Sequence, residues 1–122
     1  MATVNIYVSL DINADPPVEL TDLGGGSARS EQASSGDTIK WQKKDNNDQF
    51  DITSLDPTGS GEAFSTATTG GNGQWLSATY QPPGSDPGDE YPYTLTVTKG
   101  TDTYTTTGTT IKADDDKPVI RN

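Results

Sequence analysis

The sequence predicts an all-β protein, a two-sheet sandwich of about seven to eight short strands in a Greek-key arrangement. Apolar residues alternate with polar ones over several short stretches, which is the period of a strand with one buried face. Turn residues recur between these stretches. No stretch carries apolar residues at the spacing of an amphipathic helix over three turns.

The composition suits one small domain over residues 1–122. An apolar content of 29% and a net charge of -10 are also typical of disordered chains. Two features favour a fold instead. The apolar residues alternate strictly, and much of the remainder is threonine, a β-branched residue that suits the solvated face of a sheet.

The first element predicted is a strand that begins almost at the first residue. Its apolar face consists of Val4, Ile6, Val8 and Leu10. A Pro-Pro pair ends this strand because proline cannot donate to a ladder. Val18 and Leu20 predict a short second strand. The Gly- and Ser-rich residues 24–36 are expected to form a flexible surface loop or a weak edge strand.

The middle of the chain predicts a hairpin. Ile39 and Trp41 share one face of a strand, and the polar stretch "DNND" that follows is turn chemistry. Phe50 and Ile52 then alternate on a short strand, which is expected to pair back onto the first. Residues 74–80 predict a further strand.

The C-terminal third gives the clearest strand. A Pro/Gly-rich surface loop at residues 81–90 precedes "YPYTLTVTK". One face of this predicted strand carries Tyr91, Tyr93, Leu95 and Val97. A hairpin partner is expected at residues 102–106, a short strand at 109–112 and a last strand at Val119 and Ile120.

Two of these stretches resemble a known family. "SGDTIKW", from Ser35, resembles the Gly-Asp-Thr-aliphatic-x-aromatic strand of cupredoxins, the blue-copper β-sandwich proteins. "YPYTLTV" with the final "KPVIRN" resembles their C-terminal region, where an aromatic-x-aromatic strand runs to the metal loop and a last strand closes the sheet. Similar features occur in immunoglobulin-like sandwiches, so both topologies stay open. The "GDTIKW" strand and the late Tyr-rich strand also resemble bacterial inclusion-body (PixA-like) proteins.

The copper site of the family has no ligands in this chain. Cupredoxin copper is held by two His and one Cys, usually with an axial Met. The resemblance implies the first His within residues 48–51 and the Cys near Leu95, yet the chain has no His and no Cys, and its single Met is Met1. The resemblance therefore implies a cupredoxin-like scaffold without copper or another cofactor.

The charge excludes two classes of partner. Nucleic-acid surfaces need clustered Lys and Arg, whereas the eight basic residues here are scattered. Anionic membranes repel an acidic protein, and no apolar run approaches the ~20 residues of a membrane span. The first residues do not form a signal peptide, which predicts a cytoplasmic protein, or an extracellular or periplasmic one if this is a trimmed mature form.

Catalysis is not expected. Without His the chain lacks the usual general base near neutral pH, and without Cys it lacks a thiolate nucleophile. Serine nucleophiles would have neither a His partner nor a Ser-x-x-Lys motif. Because 18 acidic residues on a small domain form chance pairs readily, paired carboxylates carry little weight here.

Two candidate sites remain, each beside a simpler interpretation. Trp75 and Tyr80 flank Gly- and Pro-rich loops, so they are expected to be exposed as a ligand platform, although most such aromatics belong to the core. Acidic turns offer the oxygens that calcium prefers, although most serve only solubility. The residues of this calcium hypothesis are Asp45, Asp48, Asp114, Asp115 and Asp116.

The sequence thus predicts a non-catalytic binding or structural module whose role it does not name. An unknown protein partner, or self-association through an exposed sheet edge, is the first expectation. A carbohydrate-binding or adhesin-like module that binds a glycan is one alternative. A calcium-stabilised β-sandwich is the other.

Overall fold

The computed structural model describes residues 2–14, 17–28, 30–45, 47–56, 63–84, 86, 89–106 and 118–122. Within these ranges the chain forms eleven strands and no helix, which confirms the predicted all-β class. The strands are β1 (Thr3–Leu10), β2 (Val18–Thr21), β3 (Ser30–Gln32), β4 (Thr38–Lys43), β5 (Asp51–Asp56), β6 (Thr68–Gly70), β7 (Trp75–Thr79), β8 (Glu90–Pro92), β9 (Thr94–Lys99), β10 (Asp102–Thr105) and β11 (Val119–Arg121). The count exceeds the expected number because four of these strands have only three residues each.

The strands form three sheets in a sandwich-like arrangement. A five-stranded sheet has the order β2-β1-β4-β7-β6, and two three-stranded sheets have the orders β10-β9-β5 and β3-β11-β8. Only Tyr93 separates β8 from β9, so one continuous segment runs through both small sheets. The amide of Tyr93 donates to the carbonyl oxygen of Pro118 at 3.0 Å, which ties this junction to the residue before β11.

Both parallel and antiparallel pairs occur. β1 lies parallel to β4, and β11 lies parallel to β3, whereas the other described pairs are antiparallel. Parallel neighbours need a crossover connection, because a tight turn cannot join them. β1 and β4 are connected through β2 and β3, and β3 and β11 are connected through all the strands from β4 to β10.

Alternation along each strand builds the core as predicted. In β4 the residues alternate between half-buried and buried, and Ile39 and Trp41 are fully buried. Trp41 connects this strand to the β8–β9 segment: its indole Nε1 donates to the hydroxyl of Tyr93 at 3.1 Å, and the two ring centroids lie 5.1 Å apart. The largest fully buried side chains are Trp41, Tyr80, Tyr93, Ile6, Ile39, Ile52, Leu76, Leu95, Ile120, Val8, Val18 and Val97.

The expected hairpin between Ile39–Trp41 and Phe50–Ile52 is wrong. β4 pairs with β1 and β7, whereas β5 lies in another sheet and pairs with β9. The turn at 45–48 therefore carries the chain from one sheet to another. Phe50 and Ile52 are nevertheless buried, because a crossing strand also directs one face into the core.

Residues 24–36 contain the weak edge strand that was one of their two expected forms. β3 lies at the edge of its sheet, and Ala28 and Ala33 beside it are buried. The last strand is confirmed as β11 and the late hairpin as β9–β10. The strand expected at 109–112 lies outside the described residues.

Candidate functional site

A polar cleft of about 370 Å³ opens where the 45–50 turn leaves β4 and enters β5. The ends of β4 and β9 and the starts of β5 and β7 meet there. Its lining residues are Lys43, Asp48, Gln49, Phe50, Asp51, Gln74, Thr98 and Gly100. The lining of the cleft includes residues 48–51, where the resemblance to cupredoxins implies the first His ligand of the copper.

Lys43 is the most unusual of these residues. It occupies an inward position of β4, in phase with Ile39 and Trp41, and only 7% of it is exposed. Its Nζ donates to the carbonyl oxygen of Asp48 at 2.9 Å and lies 5.2 Å from the centroid of the Phe50 ring. A lysine is rarely buried to this degree unless its charge is paired. The alternation of β4 alone therefore does not explain why a lysine occupies this buried position.

Gln74 lies next to Lys43 in the lining of the cleft and carries an unpartnered acceptor. Its Oε1 is shielded from solvent and accepts no hydrogen bond from the described residues. Two backbone bonds fix the surrounding chain: Lys43 N donates to Gln74 O at 3.0 Å, and Ile52 N donates to Gly73 O at 2.9 Å. A buried carbonyl oxygen without a donor costs about 1–3 kcal/mol.

Gly73 allows the cleft wall to approach Asp51. Its φ is +87°, a conformation that side chains disfavour, and a Cβ there would lie 2.5 Å from Asp51 Oδ1. Any other residue at this position would displace the Asp51 side chain. Because Gly73 has no side chain, the carboxylate of Asp51 has room to lie at the cleft.

The expected Trp75–Tyr80 platform is wrong. Positions five apart in a strand face opposite sides of the sheet. Trp75 is half-buried on the outer face, whereas Tyr80 is fully buried. The Tyr80 hydroxyl donates to Asn122 Oδ1 at 2.7 Å, and its ring lies 5.9 Å from that of Phe64. Tyr80 is therefore a core residue.

A different row of side chains accompanies Trp75 on the outer face. Across three neighbouring strands Tyr7 pairs with Gln42, and Gln42 pairs with Trp75. All three are half-buried and alternate with core residues, so they face away from the core. Gln42 Nε2 donates to Asn5 Oδ1 at 3.0 Å. We call Tyr7, Gln42 and Trp75 the outer-face row.

Trp75 lies against the backbone of the edge strand. A Cβ on Gly70 would lie 2.1 Å from Trp75 Cζ2, so only glycine leaves room for the ring there. On β4, Lys40 places its Nζ 5.2 Å from the centroid of the indole ring. The indole thus contacts a glycine backbone and a lysine side chain, which limits its rotamers.

The described part of the calcium hypothesis is a self-contained turn. Asp45 Oδ1 accepts the amide of Asn47 at 2.9 Å, and the amide of Asp48 donates to Asp45 O at 3.0 Å. No group of three or more possible metal ligands occurs among the described residues. The other three acidic residues of that hypothesis, at 114–116, lie outside the described residues.

The shifted titratable groups lie away from the cleft. Burial, with the charges of Tyr91 and Asp89, raises the pKa of Tyr80 to about 12. Backbone amides of Ala2 and Ser34 donate to Asp37 and lower its pKa. Burial is the main cause that raises the pKa of Glu31.

Sequence reasoning missed Lys43, Gln74, Tyr7 and Gln42 as site residues. The signal for Lys43 was present, since its position is in phase with Ile39 and Trp41. The sequence carries no comparable signal for the outer-face row, because the pairing of β4 with β1 and with β7 depends on the tertiary fold.

Neither the protein-family models nor the curated proteins gave a match. Within the residues that the structure describes, no helix has the length and apolar character that crossing a membrane requires.

Proposed function

We propose that the protein is a non-catalytic binding module on a copper-free, cupredoxin-like sandwich. The mixed pairing supports the scaffold. Constant-type immunoglobulin sandwiches consist of antiparallel sheets, whereas here β1 lies parallel to β4 and β11 parallel to β3. The repeated passage of the chain between sheets also suits the expected Greek-key arrangement.

The buried Lys43 is the single observation that carries this proposal. Its ammonium lies beside the turn at 48–51, where the resemblance would place the first copper ligand. A positive charge there repels a metal cation across a few ångströms of weakly screened space. The same group is a strong hydrogen-bond donor for an anionic or polar ligand. The site therefore favours ligand binding over metal binding.

Self-association is part of the same proposal but has less support. The exposed edges at β3 and β6 have only three residues each, and such short edges offer few groups for pairing with a second chain. We expect light scattering to show a monomer at high concentration. A dimer that dissociates when β6 receives a proline at Thr69 would instead favour edge pairing.

Copper titration tests the scaffold proposal. We expect no stoichiometric copper binding at the cleft of the native protein in calorimetry, and weak binding only when Lys43 is replaced with Met, because that change removes the repelling charge. The adjacent exposed lysine gives the matched control, Lys44→Met. A one-to-one copper complex that perturbs the amides of residues 48–51 in the native protein would contradict the proposal.

The outer-face row favours a second candidate, a carbohydrate-binding module. Strands in a sheet lie about 4.8 Å apart, so Tyr7 and Trp75 are separated by roughly 10 Å across Gln42. Aromatic rings offer apolar faces to sugar rings, and the amide between them can bond hydroxyl groups. Lys40 and Lys44 add positive charge to this face of a chain whose net charge is -10. Glycans, neutral or acidic, suit this surface better than nucleic-acid phosphates, which need clustered basic residues.

A glycan panel followed by tryptophan fluorescence tests this candidate. Trp75→Ala and Tyr7→Ala should each weaken binding by about ten-fold or more, the effect of losing a central aromatic contact. Tyr104→Ala, a half-buried tyrosine on β10, is the control and should leave affinity unchanged. If no glycan responds, or if the Trp75 variant binds like the native protein, the row is only structural.

A further inference from the structure

Among the described residues, the ammonium of Lys43 has no counter-ion. Its hydrogen bond goes to a neutral carbonyl oxygen, and no carboxylate of the described residues forms an ion pair with it. An ammonium group has three donors, of which this contact uses one. Buried charges in proteins are normally paired, since leaving one unpaired is costly. The cleft therefore offers a site for a negatively charged group.

The side of the cleft formed by Gln74, Asp48 and Asp51 offers acceptors. Gln74 Oε1 accepts nothing, and the carboxyl groups of Asp48 and Asp51 also line the cavity. Because Oε1 has no partner, turning the amide about its last torsion toward a donor in the cleft breaks no bond to Oε1. That torsion is broad and soft in glutamine. This side suits a group that is positively charged or rich in N–H donors.

We infer that this cleft binds a small zwitterion of the α-amino-acid type. The inference rests on the proposed binding function and names its ligand class. The ligand's carboxylate accepts from Lys43 Nζ, and its ammonium donates to Gln74 Oε1 and to the carboxylate of Asp51. Both charges of the ligand are thereby paired, the ammonium of Lys43 gains a counter-ion, and the unpartnered acceptor of the cleft is satisfied.

The cleft is large enough for this ligand class. A volume of about 370 Å³ lies within the usual range for small-molecule sites. The exposed Asp51 side chain sits toward solvent, whereas Lys43 is at the buried end. A carboxylate-first orientation therefore puts the ligand's side chain near the cleft mouth, where size matters least.

Other occupants fit the charges less well. A simple anion pairs with Lys43 but meets the carboxylates of Asp48 and Asp51 without compensation. A neutral sugar leaves the ammonium without a counter-ion. Ordered water would satisfy the polar atoms but not the charge. These occupants are the outcomes against which the inference is tested.

Nuclear magnetic resonance of the full chain gives the test. L-alanine is the first probe, followed by the other common amino acids, with acetate, methylammonium and glucose as comparison ligands. We expect saturable amide shifts at Asp51, Gly73 and Gln74 with an amino acid, and weaker binding of acetate or methylammonium alone. Lys43→Met should weaken binding by about ten-fold or more, since a charge-assisted bond is lost.

Matched variants separate binding from folding. Lys44→Met and Gln81→Leu alter exposed residues outside the cleft and should bind like the native chain. Gln74→Leu should weaken binding while the spectrum stays dispersed. The inference is overturned if no amino acid gives a saturable shift up to about 50 mM, a weak affinity by any standard. It is equally overturned if acetate or glucose binds as well as the amino acid, or if Lys43→Met binds normally. If the amino-acid test fails but a glycan binds at the outer-face row, the inference is wrong while the proposal of a binding module is still supported.

Discussion

Replacing Tyr93 with Phe tests the contact that holds the two sides of the core together. The phenol oxygen of Tyr93 accepts the indole N–H of Trp41 at 3.1 Å, and both side chains are fully buried. The substitution keeps the aromatic ring, so it leaves no large cavity. Its main effect is to remove the hydroxyl and leave the indole donor without this acceptor.

The magnitude follows from burial. A buried donor without an acceptor costs about 1–3 kcal/mol, whereas the ring contacts with Trp41 and Phe64 remain. We therefore expect a loss of about 2 kcal/mol in the free energy of unfolding. For a domain of this size that corresponds to a decrease in Tm of roughly 6–10 °C.

Urea denaturation followed by circular dichroism measures this loss. The midpoint should fall while the slope stays constant, because the buried area is unchanged. Tyr104→Phe is the control: its ring is half-buried, and the expected change is within about 0.5 kcal/mol. If Tyr93→Phe matched that control, the indole donor would have another acceptor and the contact would not join the two sides.

Three further predictions test local features. Gly70→Ala should displace the Trp75 ring and lower stability by about 1–3 kcal/mol in the same assay. In a spectrophotometric titration one tyrosine, Tyr80, should ionise near pH 12; because its pKa is raised by burial, stability should fall between about pH 10 and 12. Tyr80→Phe should remove that loss. Asp37 has a lowered pKa, so its contribution to stability is present near neutral pH and disappears as pH falls below about 4. Asp37→Asn should reduce the loss in the free energy of unfolding below about pH 4. If that loss is unchanged in the variant, other carboxylates cause it.

The faces of the strands were predictable from the sequence because they depend on a local rule. Successive side chains in a strand point to opposite sides. That rule correctly placed Ile39, Trp41, Leu95 and Val97 in the core. It required no knowledge of which strands are neighbours.

Pairing was less predictable because it depends on contacts between distant residues. β5 follows β4 after a short polar turn, so a hairpin was the simplest expectation. The structure instead pairs β5 with the distant strand β9, as in the pair Ile52–Val97. The alternation of Phe50 and Ile52 is the same in either arrangement. A sequence pattern that fixes a strand's buried face therefore does not identify its partner.

The candidate sites show both cases. The local rule places Trp75 and Tyr80 on opposite faces because they are five positions apart, an odd number, and the platform hypothesis failed for that reason. The same rule places Lys43 inward, but the general expectation that lysines are exposed meant that it was not considered as a site residue.

When alternation and side-chain chemistry disagree at one position, the conflict itself indicates a site, because natural sequences depart from local consistency mainly where function requires it. At Lys43 the departure leaves a buried cation beside an unpartnered amide oxygen. That conflict could be found from the sequence, whereas the Tyr7–Gln42–Trp75 row needed the register of three strands.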